Sequence, residues 1–241
     1  LALLDRGLLE SRGRARALIM AGKIFVNERP VDKPGTGVCP EDRIVVRTDP
    51  VRYVSRGGLK LENALKVIGV TVRQTVCLDV GASTGGFTDC LLQHGAKRVY
   101  AVDVGYGQLA WKLRQDPRVV VIERTNIRAM KADTIPEPLD LITIDVSFIS
   151  LKIVVPSVLN LLKNDGRIIA LIKPQFEVGR GKVGKGGVVR DPELHDEVIQ
   201  SLTEFFIESG LTCGPVFPSA LLGPKGNREF MIDLTRSEQQ Q

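Results

Sequence analysis

Metal and disulfide chemistry have little to work with in this chain, which holds two histidines and four cysteines in 241 residues. Cys39, Cys77, Cys90 and Cys213 show no C-x-x-C spacing, and His94 and His195 stand apart. Neither a disulfide framework nor a zinc site is supported, so no metal is expected and the thiols read as buried or incidental. Long apolar runs are missing too. No stretch approaches the roughly 18 uninterrupted apolar residues of a membrane-spanning helix, and no signal-peptide pattern opens the chain. These absences argue against a membrane partner and lead to the expectation of a cytoplasmic protein. Leu1, rather than Met, stands first and inside an apolar pattern, so the reading expects a few preceding residues and an incomplete first helix.

What is present suits one α/β domain with a substantial core plus a smaller module, at 43% hydrophobic and 25% charged residues. The net charge of +5 is unevenly spread: residues 1–60 carry 12 Lys+Arg against 7 Asp+Glu, and the rest 21 against 21. A concentrated basic segment fits a polyanion such as nucleic acid or an anionic membrane, and equally a solvated basic face.

The run from Ser11 to Ala21 reads as a helix with Ser11 as N-cap and Gly22 as stop, which sets Arg12 and Arg16 on one face. Lys23–Asn27 and Arg43–Arg47 read as short strands, separated by turn-rich Asn27-Glu-Arg-Pro30 and Lys33-Pro-Gly-Thr-Gly37. Residues 1–48 thus form a small α+β unit, 49–54 a linker, and 55–241 a larger domain whose first helix runs over Leu59–Ile68. From Thr75 onward strand-like and helical runs alternate, which implies a parallel sheet with crossover helices. Strands are expected at Val76–Val80, Arg98–Asp103, Val119–Glu123, Leu139–Val146, Arg167–Lys173, Thr212–Phe217 and Glu229–Thr235. Helices are expected near Gly86–His94, Gln108–Gln115, Leu151–Leu162 and Pro192–Ser209, the last capped by Asp191.

The most informative segment is Cys77-Leu-Asp79-Val-Gly81-Ala82-Ser83-Thr-Gly85-Gly86-Phe87-Thr88, a strand that breaks into a small-residue loop and then a helix. Such loops let a ligand approach the backbone, and Asp103, ending the next strand, suits the ribose diol of an adenosine cofactor. Glycines 81, 85 and 86 do not supply the G-x-G-x-x-G spacing of nicotinamide binders, so hydride transfer is the weaker reading. A tight turn without ligand is the alternative for this loop alone. Asp145 and Lys173 end later apolar strands, where open α/β sheets form their ligand crevice; a satisfied salt bridge is the plainer account. Glu229 opens the final strand and Lys60 lies early in the helix after Ser55-Arg56-Gly57-Gly58; taken alone, each reads as surface decoration. In Gly179–Gly187 a superficial G-x-x-x-x-G-K has Gly186 where a P-loop needs Ser or Thr, which disfavours ATP. Its glycines and cations suit a loop closing over RNA phosphates, or a plain surface loop.

With these segments the chain resembles the TlyA (haemolysin A) family of rRNA methyltransferases, and its larger domain resembles the FtsJ-type ribose 2'-O-methyltransferases. The resemblance spans essentially the whole chain. It rests on Ser11 to Asn27 with Lys33-Pro34, Ser55-Arg-Gly-Gly-Leu-Lys-Leu61, Asp79 to Phe87, Asp145-Val-Ser-Phe-Ile-Ser150, Lys173-Pro-Gln-Phe-Glu177 and Gly187-Val-Val-Arg-Asp191. It implies an N-terminal α+β S4 domain that binds structured RNA, followed by a seven-stranded Rossmann-like methyltransferase domain. It further implies S-adenosyl-L-methionine as cofactor, cytidine ribose in ribosomal RNA or ribosomal subunits as substrate, and a catalytic Lys60, Asp145, Lys173 and Glu229 set. The cofactor candidates are Asp79, Gly81, Ala82, Ser83, Gly85, Gly86, Phe87, Thr88, Asp103, Asn126 and Asp145. The RNA candidates are Arg12, Arg14, Arg16, Lys23, Arg56, Arg180, Lys182 and Lys185. Lys173 is expected to take the 2'-hydroxyl proton or stabilise the alkoxide, with the two acids orienting ammonium groups. An inactive RNA-binding module, a base methyltransferase and a membrane-active haemolysin are the rival readings, the last unsupported by any spanning or strongly amphipathic run.

Overall fold

The computed structural model describes residues 2–20, 22–47, 52–179 and 181–237. The helix end at Ala21, residue 48, the first part of the expected linker (49–51) and the candidate RNA contact Arg180 lie outside the described residues. The chain forms two compact units, Leu1–Val51 and Arg52–Gln241.

The first unit holds α1 (Ala2–Asp5), α2 (Arg12–Met20) and a three-stranded antiparallel sheet of β1 (Ile24–Val26), β2 (Arg29–Val31) and β3 (Ile44–Val46), in the order β2-β1-β3. Ser11 caps α2 as its sequence position implies, its Oγ accepting from Arg14 N at 3.3 Å. Gly22, at φ +66°, ends the helix as its N–H returns to Ile19 O at 2.9 Å. The segment expected as turn, 27–30, is partly strand. Asn27 and Glu28 both take positive φ, the geometry of a two-residue hairpin turn, so Arg29-Pro30-Val31 folds back along β1. Pro30 is tolerated because β2 is an edge strand. The core is small: Leu3, Ala15 and Ile24 are buried, with Leu4, Leu9, Leu18, Ile19, Ile44 and Val46 packed around them.

The second unit opens with α3 (Gly57–Ile68), then runs β4 (Val76–Val80), α4 (Gly86–Gln93), β5 (Arg98–Val102), α5 (Trp111–Arg114), β6 (Val119–Ile122), β7 (Leu139–Ile144) and α6 (Leu151–Val158). It continues through β8 (Leu162–Ile172), α7 (Pro174–Glu177), α8 (Pro192–Glu208), β9 (Leu211–Pro218) and β10 (Phe230–Arg236). The described strands make a seven-stranded sheet ordered β6-β5-β4-β7-β8-β10-β9, parallel except that β10 runs antiparallel to both neighbours. Side chains alternate across it. Leu78, Tyr100, Ile142, Ile168 and Ile232 face a layer with α6 and α8, whereas Cys77, Val99, Leu141, Ile169 and Met231 face one with α3 and α4. Both faces are covered, which is why the strands read as near-continuous apolar runs.

The seven expected strands and the larger helices are present within a few residues. Three differences have local causes. The expected Gln108–Gln115 helix shrinks to α5 because Ala110 is extended (φ −57°, ψ 138°) and donates its N–H to Thr84 O at 3.1 Å. The Leu151–Leu162 helix ends at Val158, gives way to a 3-10 turn over Leu159–Leu161, and β8 starts early at Leu162 beside Leu139. Pro174–Glu177, to which the sequence assigns no element, is a short helix with Pro174 in its first turn.

Strand order reverses at β4, since β5 and β6 lie on one side and β7 and β8 on the other. Open α/β sheets leave a crevice beyond the carboxyl ends of the strands at such a point. Antiparallel β10 adds a second device, because its Phe230 pairs with Ile172 and so the start of β10 lies beside the end of β8.

Candidate active site

Gly81 follows β4 at φ +84°, and a Cβ there would stand 2.5 Å from the Asp145 carbonyl oxygen. Only glycine fits this close approach of two strand ends. The loop turns through Ser83 and Gly85 into α4, whose Gly86 meets Gly58 of α3: a Cβ on Gly86 would lie 3.0 Å from Gly58 N and 2.2 Å from Ser55 Oγ. This glycine-to-glycine contact seats the first turns of α3, and with them Lys60, against the loop.

Four elements then supply charged groups to one cavity of about 430 Å³. Lys60 of α3, Asp145 after β7, Lys173 after β8 and Glu229 before β10 all line it, together with Ser55, Arg56, Gly81, Ser83, Phe87, Ser147 and the segment Leu221–Pro224. They form two ion pairs. Lys60 Nζ lies 2.5 Å from Glu229 Oε2, with side chains 11% and 0% exposed, and Lys173 Nζ lies 2.7 Å from Asp145 Oδ1. Lys173 Nζ also donates to Ser147 Oγ at 3.0 Å, which leaves its third N–H without a partner among the described residues. Glu229 Oε1 is buried and likewise lacks a hydrogen-bond partner among them. Reading Lys60 and Glu229 singly as surface decoration is therefore wrong: both are buried, a placement that only pairing makes affordable.

A second cavity, of about 460 Å³, shares the Gly81, Ser83, Asp145 and Ser147 wall with the first. Val102, Val104, Ile127, Val146 and Phe148 give it apolar sides, with Asp103 and Asn126 as polar groups. Asp103 accepts from Ser83 N through Oδ2 and from Gly105 N through Oδ1, each at 2.7 Å. A carboxylate has about four lone-pair sites, so two remain for a ligand. Asn126 Oδ1 accepts from Arg128 N at 3.1 Å.

Not every candidate reaches these cavities. Asp79, Gly85 and Thr88 line neither. Asp79 is fully buried and takes the Thr88 N–H at 2.9 Å and its hydroxyl at 2.7 Å, so it pins the start of α4 from beneath instead of facing a ligand. Burial pushes its carboxyl up to about 7. Gly85 packs against Leu109 and Leu113. Among the RNA candidates, Arg56 lines the first cavity, Lys182 pairs with Glu197 at 2.6 Å, and Lys185 is exposed on its loop. Arg12, Arg14, Arg16 and Lys23 are exposed on the first unit.

Sequence reasoning passed over Ser147, Phe148 and the Leu221–Pro224 wall. Phe148, 90% exposed at φ +65°, packs its ring 4.8 Å from that of Phe176. Ser147 and Phe148 lie inside the already noted Asp145-Val-Ser-Phe run, which was their available signal. The wall sits in a loop of ordinary composition and carried none.

The family model described as FtsJ-like methyltransferase matches residues 53–236, most of the chain. The chain belongs to this family. A second model, the S4 domain, matches residues 2–44 of the first unit. A 16S/23S rRNA (cytidine-2'-O)-methyltransferase TlyA from Mycobacterium tuberculosis is 48% identical over 231 residues, covering 95% of this chain and 86% of that protein. Hemolysin A of Brachyspira hyodysenteriae is 43% identical, covering 94% and 95%. A solved structure of a candidate hemolysin from Streptococcus thermophilus matches with a TM-score of 0.79 at 42% identity, over 98% of this chain and 86% of that one. Membership of this family implies a methyl donor. No helix among the described residues is long and apolar enough to cross a membrane, and none of their acidic, histidine or cysteine side chains cluster as a metal site.

Proposed function

We propose that this chain methylates the ribose 2'-hydroxyl of cytidine in ribosomal RNA, with S-adenosylmethionine as donor, in the cytoplasm. One observation carries the reading: two lysine–carboxylate pairs from four separate elements line a single cavity that shares Gly81 and Ser83 with a second, apolar cavity containing Asp103. The residues fit the donor. Asp103 has lone pairs free for a ribose diol, and the valine and isoleucine walls suit an adenine ring.

When bound, S-adenosylmethionine supplies an electrophilic methyl carbon: a C–O bond forms as the C–S bond breaks, and that electron pair returns to sulfur. The chain's own residues prepare the oxygen. Lys173, held by Asp145 and Ser147, directs its remaining Nζ site at the 2'-hydroxyl and in its neutral form receives the hydroxyl proton. Lys60, fixed on Glu229, adds positive charge beside the oxygen as it becomes an alkoxide. Arg12, Arg14, Arg16 and Lys23, with Arg56, Arg180, Lys182 and Lys185, contact phosphates and set the register of the RNA. Tritium transfer from labelled S-adenosylmethionine to ribosomal subunits, followed by nucleoside analysis, is expected to yield 2'-O-methylcytidine. Label on a base, or none on RNA, overturns the reading.

A further inference from the structure

The segment Gly187-Val-Val-Arg-Asp191, which closes the glycine-rich loop, has no part in the reaction derived above, yet its backbone is tied down with unusual completeness. Asn227 does most of the tying. It is buried at 3% exposure, its Oδ1 accepts from Val189 N at 3.1 Å, and its Nδ2 donates to Gly187 O at 3.0 Å and to Pro224 O at 3.3 Å. Its main-chain oxygen accepts from Gly223 N at 2.9 Å. The far side of Val189 is held as well, its carbonyl 2.9 Å from Nε2 of buried His195, whose ring lies edge-on to Phe230.

These bonds converge on the catalytic cavity. Gly223 and Pro224 belong to its wall, and Glu229 lies two residues beyond Asn227. The wall presses on that carboxylate: a Cβ on Gly223 would stand 2.0 Å from Glu229 Oε1, while Oε2 engages Lys60. A side-chain amide offers one carbonyl acceptor and two N–H donors, and Asn227 spends all three functions on the main chain of two segments. Fully satisfied buried networks of this kind are rigid, and losing one member leaves the others unpaired.

We propose that Asn227 is a positioning residue, tying the root of the glycine-rich loop to the Leu221–Pro224 wall and thereby holding Glu229 on Lys60. The inference rests on the reaction proposed above. It separates two properties that a general loss of structure would move together, since the donor cavity lies across the Gly81 wall and takes no residue from either tied segment.

The test uses the full chain with ribosomal subunits as substrate. In Asn227→Ala, kcat is expected to fall at least tenfold, the Kd for S-adenosylmethionine by calorimetry to stay within twofold, and the amide of Val189, which loses its acceptor, to exchange hydrogen at least tenfold faster. Gly223→Ala leaves the Asn227 bonds intact but drives a methyl into Glu229 Oε1. It is expected to lower kcat comparably while Val189 still exchanges slowly. Undiminished kcat in either variant, or unaltered exchange in Asn227→Ala, overturns the proposal. If Asn227→Ala does not fold, kcat of Gly223→Ala decides. If the wild type transfers no methyl, the proposed reaction falls, and exchange at Val189 alone decides whether Asn227 ties the two segments.

Discussion

Leu3, Ala15 and Ile24 are the buried centre of the first unit, while the second covers both faces of a seven-stranded sheet with two apolar layers. The surfaces differ in the opposite sense: the first unit displays Arg12, Arg14, Arg16 and Lys23 to solvent, and the second withdraws Lys60 and Glu229 from it. A phosphate contact is long-ranged and tolerant, so it needs only a fold stable enough to present cations. Holding two lysine–carboxylate pairs in one cavity needs a scaffold that does not yield, which is what a thick core provides. Under the proposed function, affinity for RNA and chemistry on it are built from different amounts of buried surface.

The sharpest way to break this division is at Lys173. Lys173→Ala is expected to lower methyl transfer by on the order of 10²–10⁴-fold while calorimetric affinity for S-adenosylmethionine is retained. Lys173→Arg keeps the charge but gives up the proton-accepting role, so it is not expected to restore the rate. Recovery in the arginine variant would reduce Lys173 to an electrostatic group.

Next in size is the core. Ile142→Ala, at a side chain with no exposure between β4 and β8, is expected to cost about 2–5 kcal/mol in denaturant unfolding. The matching change in the thin core, Ile24→Ala, is expected to weaken RNA binding and spare donor affinity. A lost donor site in Ile24→Ala would show that the units do not divide the work.

Asp79 connects the thick core to pH. Burial raises its carboxyl from 3.8 to about 7, so between these values the folded chain binds this proton more tightly than the unfolded chain does. Its contribution to stability therefore declines as pH rises through that window. Asp79→Asn cannot ionise there, and urea midpoints measured across the window are expected to show a correspondingly weaker decline than in the wild type.

Replacing Arg12, Arg14 and Arg16 together by Ala is expected to reduce the slope of log affinity against log salt by about two to three in magnitude. With saturating RNA, kcat should be unchanged; a fall in kcat would give the first unit a share in the chemistry. Smallest of all, Lys182→Ala removes a half-exposed pair with Glu197 and is expected to change stability by less than about 1 kcal/mol in the same unfolding assay.

Much of this was legible residue by residue. Ser11 and Gly22 bracket α2, Asp191 and Pro192 open α8, and apolar runs mark the strands, because caps, turns and side-chain periodicity are local properties. Local signals also misled where a partner intervened. Asp79 stands in a ligand-loop motif, yet its carboxylate turns inward to Thr88, and Arg29 and Pro30 lay in an expected turn until pairing with β1 made Arg29–Val31 a strand.

From sequence alone came the two-part organisation, the alternating α/β pattern, the small-residue loop at Gly81 and the acidic or basic residues at strand ends. Tertiary structure decided which of those residues meet. Antiparallel β10 brings the start of one strand beside the end of β8, and the glycine contact between α3 and α4 draws Lys60 inward, so groups 169 residues apart become a buried ion pair. The reason is physical: a residue's helix or strand preference is set by its neighbours along the chain, whereas the direction of a strand and the burial of a charge are set by what packs across from it.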